Sequence, residues 1–143
     1  MKNIIVDAGP LIALFDKDDK YHEPVINFLK EFDGNLISTW PVITEVTHLL
    51  IFNVNVQIDF LEWLKREAIK IININSEHLE RIIQLTKKYS DVPMDLADST
   101  IIVISEITGI KEIATIDSDY YIYKTKSKKA FNNVLTPYIH KTK

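Results

Sequence analysis

The chain has 143 residues, of which 46% are hydrophobic and 26% charged, the composition of an ordinary globular domain. It contains no cysteine, which excludes disulfides, thiolate nucleophiles and metal sites with cysteine ligands. No apolar run approaches the roughly 18 residues of a membrane span, and the first residues do not resemble a secretory signal. We therefore expect a single domain over residues 1–143 that stays in the cytoplasm and has no membrane partner.

The net charge of −3 is distributed unevenly. The last acidic residue is Asp119, and the six lysines after it leave 11 basic against 20 acidic side chains in the preceding part of the chain. An acidic body suits the binding of cations, and a lysine-rich end suits contact with phosphates. A solvated basic end that only keeps the protein soluble would explain the second feature equally well.

In chain order, the apolar pattern predicts strands that alternate with helices. Short β-branched runs predict four strands, over residues 3–6, 35–39, 68–75 and 111–117. Amphipathic stretches predict six helices, over residues 11–15 (with Pro10 in the first turn), 22 or 23 to 31, 42–52, 56–67, 76–89 and 94–108. In the fourth helix, the side chains expected to face the core are Ile58, Leu61, Trp63 and Leu64. Strands separated by helices pair in parallel through right-handed crossovers, so the predicted fold class is α/β, a three-layer α/β/α arrangement around a central parallel sheet.

Two acidic residues lie at the ends of predicted strands. Asp7 comes after the first strand and Asp117 ends the fourth, so parallel pairing would bring both to one rim of the sheet, where ligands of such sheets bind. Each also has a purely structural explanation. Asp7, before Gly9 and Pro10, can form an Asx turn or cap a helix, and Asp117 can cap the turn that follows it.

Three further acids lie on predicted helices. Glu45 flanks the apolar stripe of its helix, and Asp98 interrupts a helix that is otherwise nearly all apolar. An unpaired carboxylate against the core costs roughly several kcal/mol, so both need a partner or a metal ion. Asp95 lies one turn before Asp98 on the same side, where the helix dipole alone favours an acid.

Four carboxylates in one cleft would repel one another unless divalent cations lay between them. The four are Asp7, Glu45, Asp98 and Asp117. Carboxylate oxygens suit Mg²⁺ or Mn²⁺, and these cations activate water and stabilise developing charge in phosphodiester hydrolysis.

The four blocks that contain these acids resemble the motifs of PIN domains, in the same order and at similar spacing. The blocks are IIVDAGPLIALFD, PVITEVTHLL, MDLADSTIIVISEITG and IATIDSDYYIY, which together span about residues 4–123. Within that family, the compact form is most similar to VapC-type toxins. The resemblance implies a Mg²⁺- or Mn²⁺-dependent endoribonuclease that cleaves RNA, acts as the toxin of a type II toxin–antitoxin pair, forms a homodimer and is inhibited by a small antitoxin.

The resemblance also implies roles for individual residues. Carried over by position, the catalytic and metal-binding residues are Asp7, Glu45, Asp98 and Asp117. Thr115 is implied to orient a carboxylate or a metal-bound water, and Asp95 and Asp119 are implied to be outer-shell acids.

The basic segment from about residue 124 is a candidate RNA-binding surface. Its lysines lie close to Tyr120, Tyr121 and Tyr123, and cations mixed with aromatic rings are typical of RNA contacts. The candidate phosphate-binding residues are Lys124, Lys126, Lys128 and Lys129. The tyrosines fit the core or a dimer contact equally well.

Two other functions fit part of the pattern. A non-catalytic PIN-fold module that binds RNA or protein would share the fold, but it would have no reason to tolerate four mutually repelling acids. A receiver-type phosphoacceptor domain also has acids at its strand ends, but this chain lacks the early acid pair that would hold its Mg²⁺.

Overall fold

A computed structural model describes residues 2–139 of the chain, and a parallel five-stranded sheet lies at its centre. The strands are β1 (Lys2–Val6), β2 (Gly34–Ser38), β3 (Ile69–Ile71), β4 (Glu112–Ala114) and β5 (Asn132–Asn133). Their order across the sheet is β3-β2-β1-β4-β5, and every neighbouring pair is parallel. The central strand β1 buries Ile4, Ile5 and Val6, as expected for a strand covered on both faces.

Helices flank the sheet and connect its strands. They are α1 (Ala8–Phe15), α2 (His22–Glu31), α3 (Trp40–Leu49), α4 (Val54–Lys65), α5 (Leu79–Lys88), α6 (Leu96–Thr108) and the short α7 (Thr136–Ile139). Two helices follow each of β1, β2 and β3, which gives the chain the length that parallel crossovers need. The predicted α/β class with a central parallel sheet is confirmed. No helix in residues 2–139 has the length and apolarity to cross a bilayer.

Some predicted boundaries were wrong. The strand predicted over residues 68–75 is paired only at Ile69–Ile71, and the helix predicted from residue 76 begins with a 3₁₀ turn, Ser76–His78, before α5. The structure also has β5 and α7, which the sequence did not predict, because a two-residue polar edge strand carries no apolar alternation.

The inward face predicted for α4 was wrong in part. Phe60 is fully buried and Trp63 and Leu64 are half-buried, but Ile58 and Leu61 are 48% and 49% exposed. The helix carries apolar side chains on more than one side, and the aromatic contacts of Phe15 with Phe60 and Trp63 fix which side faces the core. The other side remains in contact with solvent.

The chain reverses its direction across the sheet between β1 and β4. From β1 it passes through β2 to β3 on one side, and then returns to β4 on the other side of β1. In open α/β sheets, this switch point forms a crevice at the carboxyl ends of the strands. The Asp7 amide donates to the Ala114 carbonyl at 3.0 Å, which continues the pairing of β1 and β4 up to the crevice.

Candidate functional site

An open pocket of about 300 Å³ lies at this crevice. Five acids line it, and we call it the acidic pocket: Asp7, Glu45, Asp95, Asp98 and Asp117. Gly9 and Ile116 complete its lining. The structure therefore brings together all four acids that the sequence nominated as ligands, with Asp95 beside them, from four separate segments of the chain.

Buried hydroxyl contacts fix the segments that carry these acids. Ser38, at the end of β2, donates to the Val6 carbonyl at 2.9 Å. Thr39 precedes α3, and its Oγ1 lies 2.8 Å from Oγ1 of Thr100 in α6. The helix of Glu45 and the helix of Asp98 are thus joined by a buried hydrogen bond close to their first turns.

Asp7 is the most deeply buried of the five acids, with 7% of its surface exposed. The buried Thr115 hydroxyl donates to Asp7 Oδ2 at 2.9 Å, and its oxygen accepts from the Asp117 amide at 3.0 Å. The family resemblance implied that Thr115 orients a carboxylate or a metal-bound water, and its hydroxyl contacts the Asp7 carboxylate. Asp7 also precedes the first residue of α1, so the acid lies at a helix N-terminus as well as at a strand end.

Asn133 in β5 holds the backbone of Thr115. Its side-chain amide donates to the Thr115 carbonyl at 3.0 Å and accepts from the Thr115 amide at 3.3 Å. The Asn133 side chain therefore pairs with the Thr115 backbone where β5 continues no further. Sequence reasoning missed this residue, because the strand that carries it was not predicted.

Asp95 and Asp98 cap the N-terminus of α6 reciprocally. The Asp98 amide donates to Asp95 Oδ1 at 2.9 Å, and the Asp95 amide donates to Asp98 Oδ2 at 3.2 Å. This capping box gives Asp95 the structural explanation that its position at the helix start allowed. The Asp95 amide at the start of α6 thus holds one carboxylate oxygen of Asp98 in place.

Tyr120 holds the other oxygen of Asp98. Its hydroxyl donates to Asp98 Oδ1 at 3.0 Å, and its ring is 2% exposed and packs edge-on against Tyr123 and Phe131. The sequence singled out Tyr120 only as one of three tyrosines near the basic segment. The signal that would have distinguished it is its place three residues after Asp117, inside the same block as that strand-end acid.

Asp117 lines the acidic pocket, whereas Asp119 does not. Asp117 lines the acidic pocket, and its Oδ1 also accepts from the Asp119 amide at 2.9 Å, which caps the 3₁₀ turn Ser118–Tyr121. Asp119 lies on that turn and does not line the pocket. The capping explanation for Asp117 is thus correct, and it coexists with its position in the pocket.

Burial and mutual repulsion raise the pKa values of three pocket acids. Burial raises the pKa of Asp7 to about 6 against the lowering effect of the Ala8 amide and the Thr115 hydroxyl. Burial, followed by the charge of Asp95, raises the pKa of Glu45 to about 7. The same two causes raise the pKa of Asp98 to about 7. Without a cation, the pocket therefore holds its negative charge at a cost.

The donor set of the acidic pocket fits a hydrated Mg²⁺ or Mn²⁺. In residues 2–139, no three carboxylate or imidazole groups converge closely enough to enclose a cation by themselves. Mg²⁺ does not need such a cage, because it keeps several waters and takes only one or two protein carboxylates together with substrate phosphates. An open pocket lined by hard oxygen ligands has room for that arrangement.

Since Asp98 was predicted as a metal ligand, we expect Tyr120→Phe to weaken Mn²⁺ binding by about tenfold, because loss of a ligand's hydrogen-bond partner typically costs roughly 10–100-fold in affinity. The ring and its packing are retained, so the free energy of unfolding should fall by only about 1 kcal/mol. Calorimetric titration with Mn²⁺ and urea unfolding of both proteins measure the two effects. Tyr121→Phe is the matched control, since Tyr121 is exposed and its hydroxyl contacts Thr136. Equal Mn²⁺ affinity in the wild type and Tyr120→Phe would contradict a role for this hydroxyl in positioning Asp98.

The candidate RNA-binding lysines lie away from the acidic pocket. Lys124 pairs with Ala130 in an antiparallel bridge, and the lysines between them occupy the turn that this bridge closes. None of the four lysines lines the acidic pocket. Lys141 and Lys143 of the basic segment lie outside the described residues.

A parallel sheet with an acidic pocket at its switch point defines a class of α/β protein whose site is suited to a divalent cation. A family model described as PIN domain matches residues 4–126, and the chain belongs to the PIN domain family. The resemblance found in the sequence is confirmed.

One solved structure extends the comparison. The fold is similar to the crystal structure of VapC20 from Mycobacterium tuberculosis, described as a Sarcin-Ricin loop cleaving toxin. The TM-score is 0.74 at 14% sequence identity, and the match covers 81% of this chain and 91% of that chain. At this identity the likeness shows a shared fold. No curated protein sequence matches the chain.

Proposed function

We propose that the chain is a Mg²⁺- or Mn²⁺-dependent endoribonuclease and the toxin of a type II toxin–antitoxin pair. One observation carries the proposal: Asp7, Glu45, Asp98 and Asp117, which are far apart in the sequence, line one open pocket at the switch point of a PIN fold. The raised pKa values of Asp7, Glu45 and Asp98 support a pocket whose anions require a cation.

In this proposal, acidic side chains bind the cation, and neighbouring hydroxyl groups orient those side chains. Asp7, held by Thr115, and Asp98, held by Tyr120, present fixed carboxylates to the cation. Glu45 in α3 and Asp117 after β4 line the same pocket, where they would contact the cation through the waters it keeps. The cation, when bound, activates water and stabilises the charge that develops on the phosphoryl group. Because the pocket is open, it can admit a phosphate within a polymer as well as one at a chain end.

RNA is the proposed substrate class. The fold is similar to that of VapC20, which is described as cleaving the Sarcin-Ricin loop, and this supports structured RNA as the target. We further propose that residues 1–143 act as one PIN domain in the cytoplasm, where its substrate occurs.

A protein partner is also part of the proposal, either the antitoxin or a second copy in a homodimer. Exposed apolar side chains cluster in sequence from α3 through α4, and a solvent-facing apolar surface of this kind is typical of protein interfaces. The side chains are Trp40, Leu49, Ile51, Phe52, Val54, Ile58 and Leu61. A non-catalytic interaction module would use the same surface, but it would leave the five acids of the pocket without a purpose.

An RNA-cleavage assay tests the proposal. We expect purified chain, free of antitoxin, to cut RNA internally when about 1 mM Mg²⁺ or Mn²⁺ is present and to stop when a chelator removes it, since the acids cannot supply the attacking water alone. Products with internal ends separate an endonuclease from an exonuclease. A folded wild type that cuts no RNA with either metal would contradict the proposal and favour the interaction module.

A further inference from the structure

A second pocket, of about 460 Å³, carries a basic lining. It lies where the C-terminal end of α6, the residue before β4 and the lysine-bearing turn meet, and we call it the basic pocket. Its lining includes Glu106, Lys111, Thr125, Lys126, Ser127 and Lys129. Lys111 was not predicted as a binding residue, whereas Lys124 and Lys128 were predicted and do not line this pocket.

The single acid of the basic pocket is already paired. Glu106 accepts two hydrogen bonds from the Arg81 guanidinium, at 2.9 and 2.7 Å, and one from the Lys126 amide at 2.6 Å. Arg81 thus compensates its charge. Within residues 2–139, the ammonium groups of Lys111, Lys126 and Lys129 have no carboxylate within 4.0 Å. Within the described residues, no ion pair neutralises the three lysines of this lining.

The turn that carries two of these lysines is held in place by its backbone. The Thr125 amide donates to the Lys129 carbonyl at 3.1 Å, and the Lys128 amide donates to the Thr125 carbonyl at 2.8 Å. The bond from the Lys126 amide to Glu106 then fixes the turn to α6. A fixed backbone brings the lysines together before any ligand binds, which lowers the entropy that binding must overcome.

The residues that line the basic pocket suit a phosphate of a nucleic-acid backbone better than a nucleic-acid base. Lysines are point charges that bind phosphate, and the Ser127 and Thr125 hydroxyls can add hydrogen bonds. The lining contains no aromatic ring on which a base could stack. Contacts of this kind position a nucleic acid without reading its sequence.

The two pockets lie at opposite ends of α6. Asp98 is in its first turn, and Glu106 is eight residues later, which corresponds to about 12 Å along the helix axis. Lys111 likewise precedes β4 while Asp117 follows it. A ligand group in the basic pocket is therefore well separated from one in the acidic pocket.

Building on the proposed function, we propose that the basic pocket binds a backbone phosphate of the RNA, at a distance from the phosphate that is cleaved in the acidic pocket. The positive charge comes from Lys111, Lys126 and Lys129. The bond from the Lys126 amide to Glu106 holds the turn that carries two of these lysines in place. The pocket would hold the RNA in register with the acidic pocket, where the mutual repulsion of the acids opposes RNA binding.

Binding of a labelled RNA hairpin to the full chain, followed by fluorescence anisotropy in chelator, tests this proposal without cleavage. We expect Lys126→Gln/Lys129→Gln to weaken binding about tenfold at roughly 0.1 M salt and to reduce the slope of log affinity against log salt by about 1. The matched control is Lys65→Gln/Lys70→Gln, two exposed lysines in α4 and β3, which should change affinity by less than about twofold.

Three outcomes overturn the proposal. An equal loss of RNA affinity in the pocket and control variants would show a general effect of charge. An unchanged RNA affinity in the pocket variant would show that the basic pocket does not bind RNA. A third outcome is that inorganic phosphate shifts the amide resonances of the turn while the pocket variant binds RNA normally, which would identify an anion site with no role in RNA binding.

The same variants separate this proposal from the proposed function. A wild type that binds RNA through the basic pocket but never cleaves it would refute the nuclease and leave the pocket intact. A wild type that cleaves RNA, with a pocket variant that binds and cleaves equally well, would refute only the pocket.

Discussion

Asp7→Asn and Asp98→Asn are each expected to lower the rate of RNA cleavage by at least about a hundredfold while the protein stays folded. Loss of an outer partner of a metal ligand already costs roughly 10–100-fold, and these two substitutions remove a proposed ligand charge itself. Cleavage rates at saturating Mg²⁺, with circular dichroism of each variant, measure the effect. Both side chains keep their shape in the substitution, so the bonds from Thr115 and Tyr120 can still form to an amide oxygen.

Asp59→Asn is the matched control for these variants, since it removes one exposed negative charge from α4. It should cleave RNA at the wild-type rate. If Asp7→Asn or Asp98→Asn retained wild-type cleavage, the acidic pocket would not be the site of chemistry.

The metal-free protein is expected to lose stability as pH rises from about 4 to about 7. Burial raises the pKa of Asp7 from 3.8 to about 6 in the folded state, so the folded protein holds a proton that the unfolded chain has already released. Below pH 4 both states are protonated and the group has no effect; above pH 6 the folded state bears the cost of the buried charge. One pKa unit corresponds to about 1.4 kcal/mol, so Asp7 alone destabilises the metal-free protein by about 2–3 kcal/mol above pH 7. Glu45 and Asp98 act in the same direction.

Asp7→Asn should therefore raise the stability of the metal-free protein at pH 8, by about 1–3 kcal/mol, and leave it nearly unchanged at pH 4. Urea unfolding in chelator at the two pH values measures this difference. Added Mg²⁺ should stabilise the wild type, because a ligand that binds only the folded state shifts the equilibrium toward it, and should have little effect on the variant. A variant that is less stable than the wild type at pH 8 in chelator would contradict the account of a buried, uncompensated charge.

The two effects have one physical cause. The acids of the pocket repel one another when no cation is bound. Asp7→Asn reduces this repulsion, which stabilises the metal-free protein, and it also removes a proposed ligand of the cation, which lowers cleavage. Capping interactions of Asp95 and Asp117 offset part of this cost, since each carboxylate also accepts from a backbone amide at a helix or turn start.

The sequence predicted the fold class and the clustering of acids because both follow from local signals. A strand that ends in an acid, as at Asp7, places that acid at the sheet rim whatever the details of packing. Glu45 was recognisable because it flanks an apolar stripe and Asp98 because it interrupts an apolar helix, and a carboxylate against the core needs an explanation.

Contacts between distant segments could not be predicted in this way. The bond from Tyr120 to Asp98 and the pairing of Asn133 with Thr115 depend on how β4, β5 and α6 meet. The solvent-facing side of α4 is a similar case, because the pattern there allows more than one inward face and the packing of Phe60 against Phe15 decides between them. Lys111 lines the same pocket as Lys126 and Lys129 because the bond from the Lys126 amide to Glu106 holds their turn against α6, and the sequence does not indicate this contact.

Calorimetric titration of Mn²⁺ into the metal-free protein at pH 8 tests the central claim most directly, since it measures binding by the acidic pocket without reference to any RNA. The account predicts that the wild type binds Mn²⁺, that Mg²⁺ competes, and that Asp98→Asn loses at least about tenfold in affinity. A folded wild type that binds neither cation, or an Asp98→Asn variant that binds Mn²⁺ as tightly as the wild type, would contradict it.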